Sequence, residues 1–158
     1  MLEWLENTPL SAWVRTDFWG WPFVLTLHVL GTALTIGFIF IVCLRVLGLF
    51  ALFPYSSLRR LFPVIWAALV LQFVSGFVLW MTKPSQYAAD GAFVLKFAFV
   101  VAGVVLTFFL YKTILREAGL WESKGTPSPR AVGFVAATLL VWSGVIIASR
   151  LIAHLGSI

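Results

Sequence analysis

The stretch "WPFVLTLHVLGTALTIG", residues 21–37, decides the fold of this chain. It opens an apolar run over residues 22–44 that carries no Asp, Glu, Lys or Arg. A helix needs ~20 such residues to cross a hydrocarbon layer of ~30 Å. Three comparable runs occupy about residues 62–81, 92–111 and 132–153 of the 158, which leaves no room for a soluble domain. Charged residues make up 11% of the chain and its mean hydropathy is +1.02, where soluble domains carry roughly 25% charge. The expected fold class is therefore all-α and integral to the membrane. Residues 1–158 form one domain, a four-transmembrane-helix antiparallel bundle whose neighbours are set by short connections.

Outside the spans, residues 1–20 mix Leu2, Trp4, Leu5, Trp13, Phe18 and Trp19 with acidic residues and Arg15, as a segment lying in the membrane interface does. Glu3, Glu6 and Asp17 stand where a cleavable leader would carry basic residues, so the first span is expected to stay. Pro22 suits the first turn of that span, Ser56 or Ser57 can cap the second ahead of Pro63, and "GLWESKGTPSP", residues 119–129, has the composition of a loop. Small residues, Gly31, Ala33 and Gly37, then Ser75 and Gly76, Ala102 and Gly103, Ser143 and Gly144, are expected to let helices approach closely.

The formal charge is +5, yet the basic residues are scattered at helix ends, which argues against a nucleic-acid partner. Arg45, Arg59 and Arg60 lie around the connection between the first two spans, and Lys112, Arg116, Lys124 and Arg130 between the last two. The positive-inside rule makes these connections cytoplasmic and puts both termini outside. Cys43 is the only cysteine, which excludes an internal disulfide, a CxxCH haem attachment and a thiolate cluster.

Polar groups within apolar spans are costly, ~2.5 to 3.5 kcal/mol for a charge near the centre, so the few present are candidates for function. At 1.5 Å per residue, His28 lies ~10 Å, Lys96 ~6 Å and Arg150 ~5 Å from the outer ends of their helices, with His154 at the edge. His28, Gly31, Thr32 and Thr35 follow helical spacing and form an inward stripe, Gln72, Ser75 and Gly76 form a comparable face, and Ser143, Ile147, Arg150 and His154 form another. All six carboxylates fall outside the spans. Lys96 and Arg150 therefore lack an acidic partner within the membrane, and an anionic ligand or snorkelling to lipid phosphate can neutralise them.

Two histidines and two cations in one leaflet suit b-type haem, with neutral imidazoles of His28 and His154 as axial metal ligands and Lys96 and Arg150 against the propionates. Thr32 or a backbone carbonyl can orient His28. Against this stands the depth difference of ~10 Å between the two histidines, which ligation by His28 alone avoids.

"LHVLGTALTIG", Arg45 in "CLRVLG", and "DGAFVLKFAFV" at the start of the third span resemble a family of small four-helix bacterial membrane proteins. That family looks related to the copper-resistance D-like proteins and to the haem-containing, oxygen-independent protoporphyrinogen oxidase. The resemblance implies a bacterial inner-membrane location and carries the oxidase's functional histidine and lysine onto His28 and Lys96.

Four functions follow as expectations. One is haem-mediated electron transfer between a periplasmic redox partner and membrane quinone. The others are copper handling, porphyrinogen oxidation with Lys96 and Arg150 holding substrate carboxylates, and a cofactor-free structural subunit bound to other membrane subunits. No nucleophile–base pair, paired carboxylates or phosphate loop supports hydrolytic or transferase chemistry.

Overall fold

In a computed structural model, the backbone is described for residues 3–155 and the side chains for residues 4–151. The described residues form helices and no strand: α1 (Glu3–Glu6), α2 (Pro9–Thr16), α3 (Gly20–Val46), a 3₁₀ helix (Tyr55–Leu61), α4 (Phe62–Met81), α5 (Pro84–Ala89), α6 (Gly91–Lys124) and α7 (Pro129–Leu155). Four helical segments, based on α3, α4, α6 and α7, are long and apolar enough to cross a membrane. The chain is a multi-pass helical membrane protein.

The largest departure from the hydropathy reading is α6. Its 34 residues span about 51 Å at 1.5 Å per residue, well beyond the apolar run of 92–111. Most of the segment read as a loop, 119–129, is helix. Ala118 and Trp121 are buried, and the Trp121 ring meets Tyr55 of the 3₁₀ helix edge-on at 5.7 Å between centroids. That contact extends the helix until Gly125, at φ 73°, ends it in the left-handed conformation. Neither Ser56 nor Ser57 caps α4, because the 3₁₀ turn runs directly into it and Ser56 is bonded instead to Glu122.

The N-terminal segment packs onto the helices that follow it. Thr8 caps α2, accepting a bond from the Ser11 N–H. Ser11 and Val14 are fully buried, and the Ser11 hydroxyl donates to the Met81 carbonyl at 3.3 Å. α2 thus closes one end of the α3–α4 pair.

The helices associate chiefly as two pairs, α3 with α4 and α6 with α7, joined by α3 against α7 and by the 3₁₀ helix against α6. Close approach rests on a subset of the expected small residues. A Cβ on Gly31 would meet the Gln72 backbone at 2.9 Å, and one on Gly103 would meet the Trp142 indole at 2.8 Å. Gly37 has nothing within 4 Å, and Ala33 and Ala102 are exposed, so these three do not serve as contacts.

The core is asymmetric along the bundle. The apolar cluster, including Ile39, Val42, Phe62, Ile65, Leu110, Ile114 and Val135, lies toward the Arg45 end. There Phe62 and Trp66 of α4 pack on Tyr111 of α6 at 4.5 and 6.5 Å between centroids. Toward the other end the interior turns polar, and α6 has no buried residue between Gly91 and Ala102. The α4–α6 side is joined by aromatic rings at the Arg45 end.

One polar contact stitches the second pair. Fully buried Trp142 donates from Nε1 to Thr107 Oγ1 at 3.1 Å, and that hydroxyl donates to the Gly103 carbonyl at 2.7 Å. Trp142→Phe keeps much of the ring area and removes the interhelical bond. The expected cost is at least the ~0.6 kcal/mol mean for such bonds within membranes, with the cavity left by the smaller ring adding to it, read as a lower denaturation midpoint in mixed detergent. An unchanged midpoint would show that this bond adds nothing to pairing.

Candidate functional site

His28 stands on the α3 face that also buries Val24, Gly31 and Thr35, toward the end of the bundle away from Arg45. It projects against the α4 face formed by Gln72, Ser75 and Gly76. The ring lies so close to Gly76 that a Cβ there would sit 2.9 Å from its Cε1. Nδ1 lies 3.0 Å from the Gln72 carbonyl and 3.2 Å from Ser75 Oγ.

These contacts define the tautomer. A carbonyl can only accept, and the Ser75 hydroxyl proton is directed at the Leu71 carbonyl, 2.6 Å away. Both partners therefore accept from Nδ1–H. In a neutral ring this leaves Nε2 unprotonated, and among the described residues nothing is hydrogen-bonded to it. Fixing one ring nitrogen while the other stays available is how proteins prepare a histidine for a metal.

Lys96 is the charged side chain of the third span, residues 92–111. It is half-buried and lies two helical turns before Gly103 on the inward face of α6. Asp90, its possible acidic neighbour in sequence, accepts from the Ala92 N–H at 2.9 Å and caps α6. Below the ring, Gln72 Oε1 and Thr35 Oγ1 are buried with no hydrogen-bond partner among the described residues. Leaving a buried polar atom unbonded costs ~1–3 kcal/mol.

The other expected site residues divide. Thr32 does not orient the imidazole, because its hydroxyl donates to the backbone carbonyl of His28 at 2.8 Å. Thr32→Val is accordingly expected to leave the optical spectrum and metal content of the purified protein unchanged; a shifted spectrum would give Thr32 a part in the site. Arg150 is exposed on α7, and Ile147, in the same expected stripe, is 62% exposed. The buried face of α7 instead runs through Ala131, Val135, Thr138, Trp142, Val145 and Ala148. The Ser143–Ile147–Arg150 stripe therefore does not form the bundle interior, since the large Trp142 and the small Ala131 and Ala148 fit the α6 and α3 surfaces better. The side chain of His154 lies outside the described residues; its backbone belongs to the last turn of α7.

Two cavities lie elsewhere. One, of about 390 Å³, is lined by Val14, Arg15, Trp21, Thr82, Lys83 and Tyr87. The other, of about 330 Å³, lies at the opposite end beside Arg45 and Glu122. Neither is lined by His28, whose ring packs against Gln72, Ser75 and Gly76 of α4. Among the described residues, no group of three His, Cys, Asp or Glu side chains converges. No family model, curated protein or solved structure matches this chain.

Proposed function

We propose that this protein is a haem b-binding electron-transfer protein or subunit of the bacterial inner membrane, connecting a periplasmic redox partner with membrane quinone. The observation that carries the reading is His28, with Nδ1–H held by the Gln72 carbonyl and Ser75 hydroxyl and Nε2 without a hydrogen bond. The residues fit haem in two respects: Nε2 of His28 could donate to the iron, and Lys96, half-buried on the inward face of α6, could meet a carboxylate.

Bound there, haem supplies one-electron chemistry within the membrane. The residues' work is to hold and position it. Ser75 and Gln72 would fix the imidazole, Gly76 admits it against α4, and Lys96 would offer charge to the carboxylates of the group; Arg150, expected to share that work, faces outward on α7. His28 would hold the iron, either together with His154 or alone. The resemblance to the copper-resistance D-like and protoporphyrinogen oxidase proteins enters as a proposal too, with haem binding its shared element. A single free imidazole supports haem better than copper handling, because a copper site asks for more clustered donors.

The proposed topology places both termini outside and antiparallel helices between them, with Arg59, Arg60, Lys112, Arg116, Lys124 and Arg130 inside. The depth of His28 and Lys96 then puts haem in the outer leaflet.

A second reading is a structural subunit in which His28 only ties α3 to α4, favoured by the same two Nδ1 contacts. Absorption spectra of the purified protein, oxidised and dithionite-reduced, separate the readings. The expected result is a Soret band and a sharp reduced α band. A colourless and fully folded protein would overturn haem binding and leave the structural reading.

A further inference from the structure

We propose that the cavity at the Arg45 end binds a phosphate ester carrying an ammonium arm, supplied by the zwitterionic phosphoethanolamine headgroup of a membrane lipid. The inference is independent of haem binding. It starts from Arg45, which is 7% exposed at the end of α3 yet lines a cavity of about 330 Å³. That volume is at the lower end for small-ligand sites.

The guanidinium is held by two contacts that leave its ends free. Nε donates to the Phe53 carbonyl, and the carbon at the centre of the group lies 3.9 Å from the centroid of the Tyr55 ring. The terminal nitrogens have no hydrogen-bond partner among the described residues. A planar fork oriented this way matches two oxygens of a phosphate.

Glu122 lines the same cavity. Its Oε1 accepts from the Ser56 N–H at 3.0 Å and the Ser56 hydroxyl at 2.9 Å, which positions the carboxylate and leaves Oε2 outside those bonds. Arg45 acts on Glu122 electrostatically, but the two form no direct hydrogen bond. A cation and an anion that form no direct hydrogen bond with each other therefore line one cavity, a charge pattern that the two ends of a zwitterion complement.

The surroundings favour a lipid as the source. The chain between α3 and the 3₁₀ helix exposes Leu49, Phe50, Leu52 and Phe53, with Leu52 96% exposed. In a membrane protein, such a loop places its side chains among acyl chains, at the depth where headgroups meet Arg45.

Native mass spectrometry of the delipidated full chain, with added dioleoyl phosphatidylethanolamine, phosphatidylglycerol or diacylglycerol, tests the site. Wild type is expected to retain phosphatidylethanolamine at least about tenfold better than diacylglycerol, the size of one charge-assisted contact. Glu122→Gln keeps an acceptor for Ser56 and removes the charge. It should lower phosphatidylethanolamine retention about tenfold while leaving phosphatidylglycerol unchanged, and Arg45→Lys should weaken both. Equal retention of all three lipids by wild type would overturn the proposal, as would an unchanged ethanolamine-to-glycerol preference in Glu122→Gln, which decides even if Arg45→Lys fails to fold. Glycerophosphoethanolamine and inorganic phosphate are tested as competitors. Displacement by either at lipid-equivalent concentration would overturn the lipid source, whereas its absence supports that source.

Discussion

His28→Ala is expected to abolish the reduced α and Soret bands while leaving a folded protein. The substitution removes Nε2, the proposed donor to iron, and haem content should fall by more than the roughly 10- to 100-fold that loss of an orienting group alone produces. The fold loses far less. Nδ1 has the Gln72 carbonyl and Ser75 hydroxyl as partners, and polar contacts of this kind within membranes average about 0.6 kcal/mol. The two accepting oxygens also retain other hydrogen bonding, since Ser75 Oγ stays bonded to the Leu71 carbonyl. The check is haem content per protein by the pyridine haemochrome method beside a size-exclusion profile. Ser75→Ala is the graded control, because the Gln72 carbonyl still accepts from Nδ1, and a partial loss is expected. An unchanged spectrum in His28→Ala would remove His28 as the ligand. An unchanged spectrum in His154→Ala would restrict ligation to His28.

The second large effect is expected at Gly31. A Cβ there meets the backbone nitrogen of Gln72 at 2.9 Å and the Ala68 carbonyl at 3.2 Å. Backbone cannot swing aside as a side-chain end can, so Gly31→Val must separate α3 from α4. Overpacking of this kind costs about 1–3 kcal/mol, and β-branching adds bulk close to the main chain. The displacement also pulls His28, one turn away, from the Gln72 carbonyl, so stability and haem retention should fall together. Gly37→Val, with nothing within 4 Å of its Cβ position, is expected to change neither. Equal thermal midpoints for the two variants in detergent would show that the α3–α4 crossing is looser than described.

The two glycines look alike in sequence because both belong to an apolar run, and only the partner helix separates them. The same limit explains α7. In a soluble protein, apolar periodicity identifies the buried face, but lipid accepts apolar residues on every face. The polar spacing of Ser143 and Arg150 therefore offered a false inward stripe, whereas His28, Gly31 and Thr35 on α3 pointed inward for a reason packing shares. The Gln72–Ser75–Gly76 face was also legible. Its meeting with the His28 ring was not, since that depends on the register between α3 and α4.

The apolar run lengths determined by themselves that this chain is helical and membrane-spanning. Burying ~20 consecutive peptide units in hydrocarbon requires every N–H and C=O to be bonded internally. Composition also isolated the few polar groups that membrane insertion makes costly, including His28, Lys96 and Arg150. Tertiary structure decided what each could meet. It placed His28 on Gln72 and Ser75, turned Arg150 outward, extended α6 past its apolar run to Trp121, and brought Arg45 and Glu122 to one cavity. These outcomes depend on helix register and on contacts between residues as far apart as Ser56 and Glu122. Hydropathy is a property of each residue alone, so it specifies which helices enter the membrane and leaves their facing surfaces to packing.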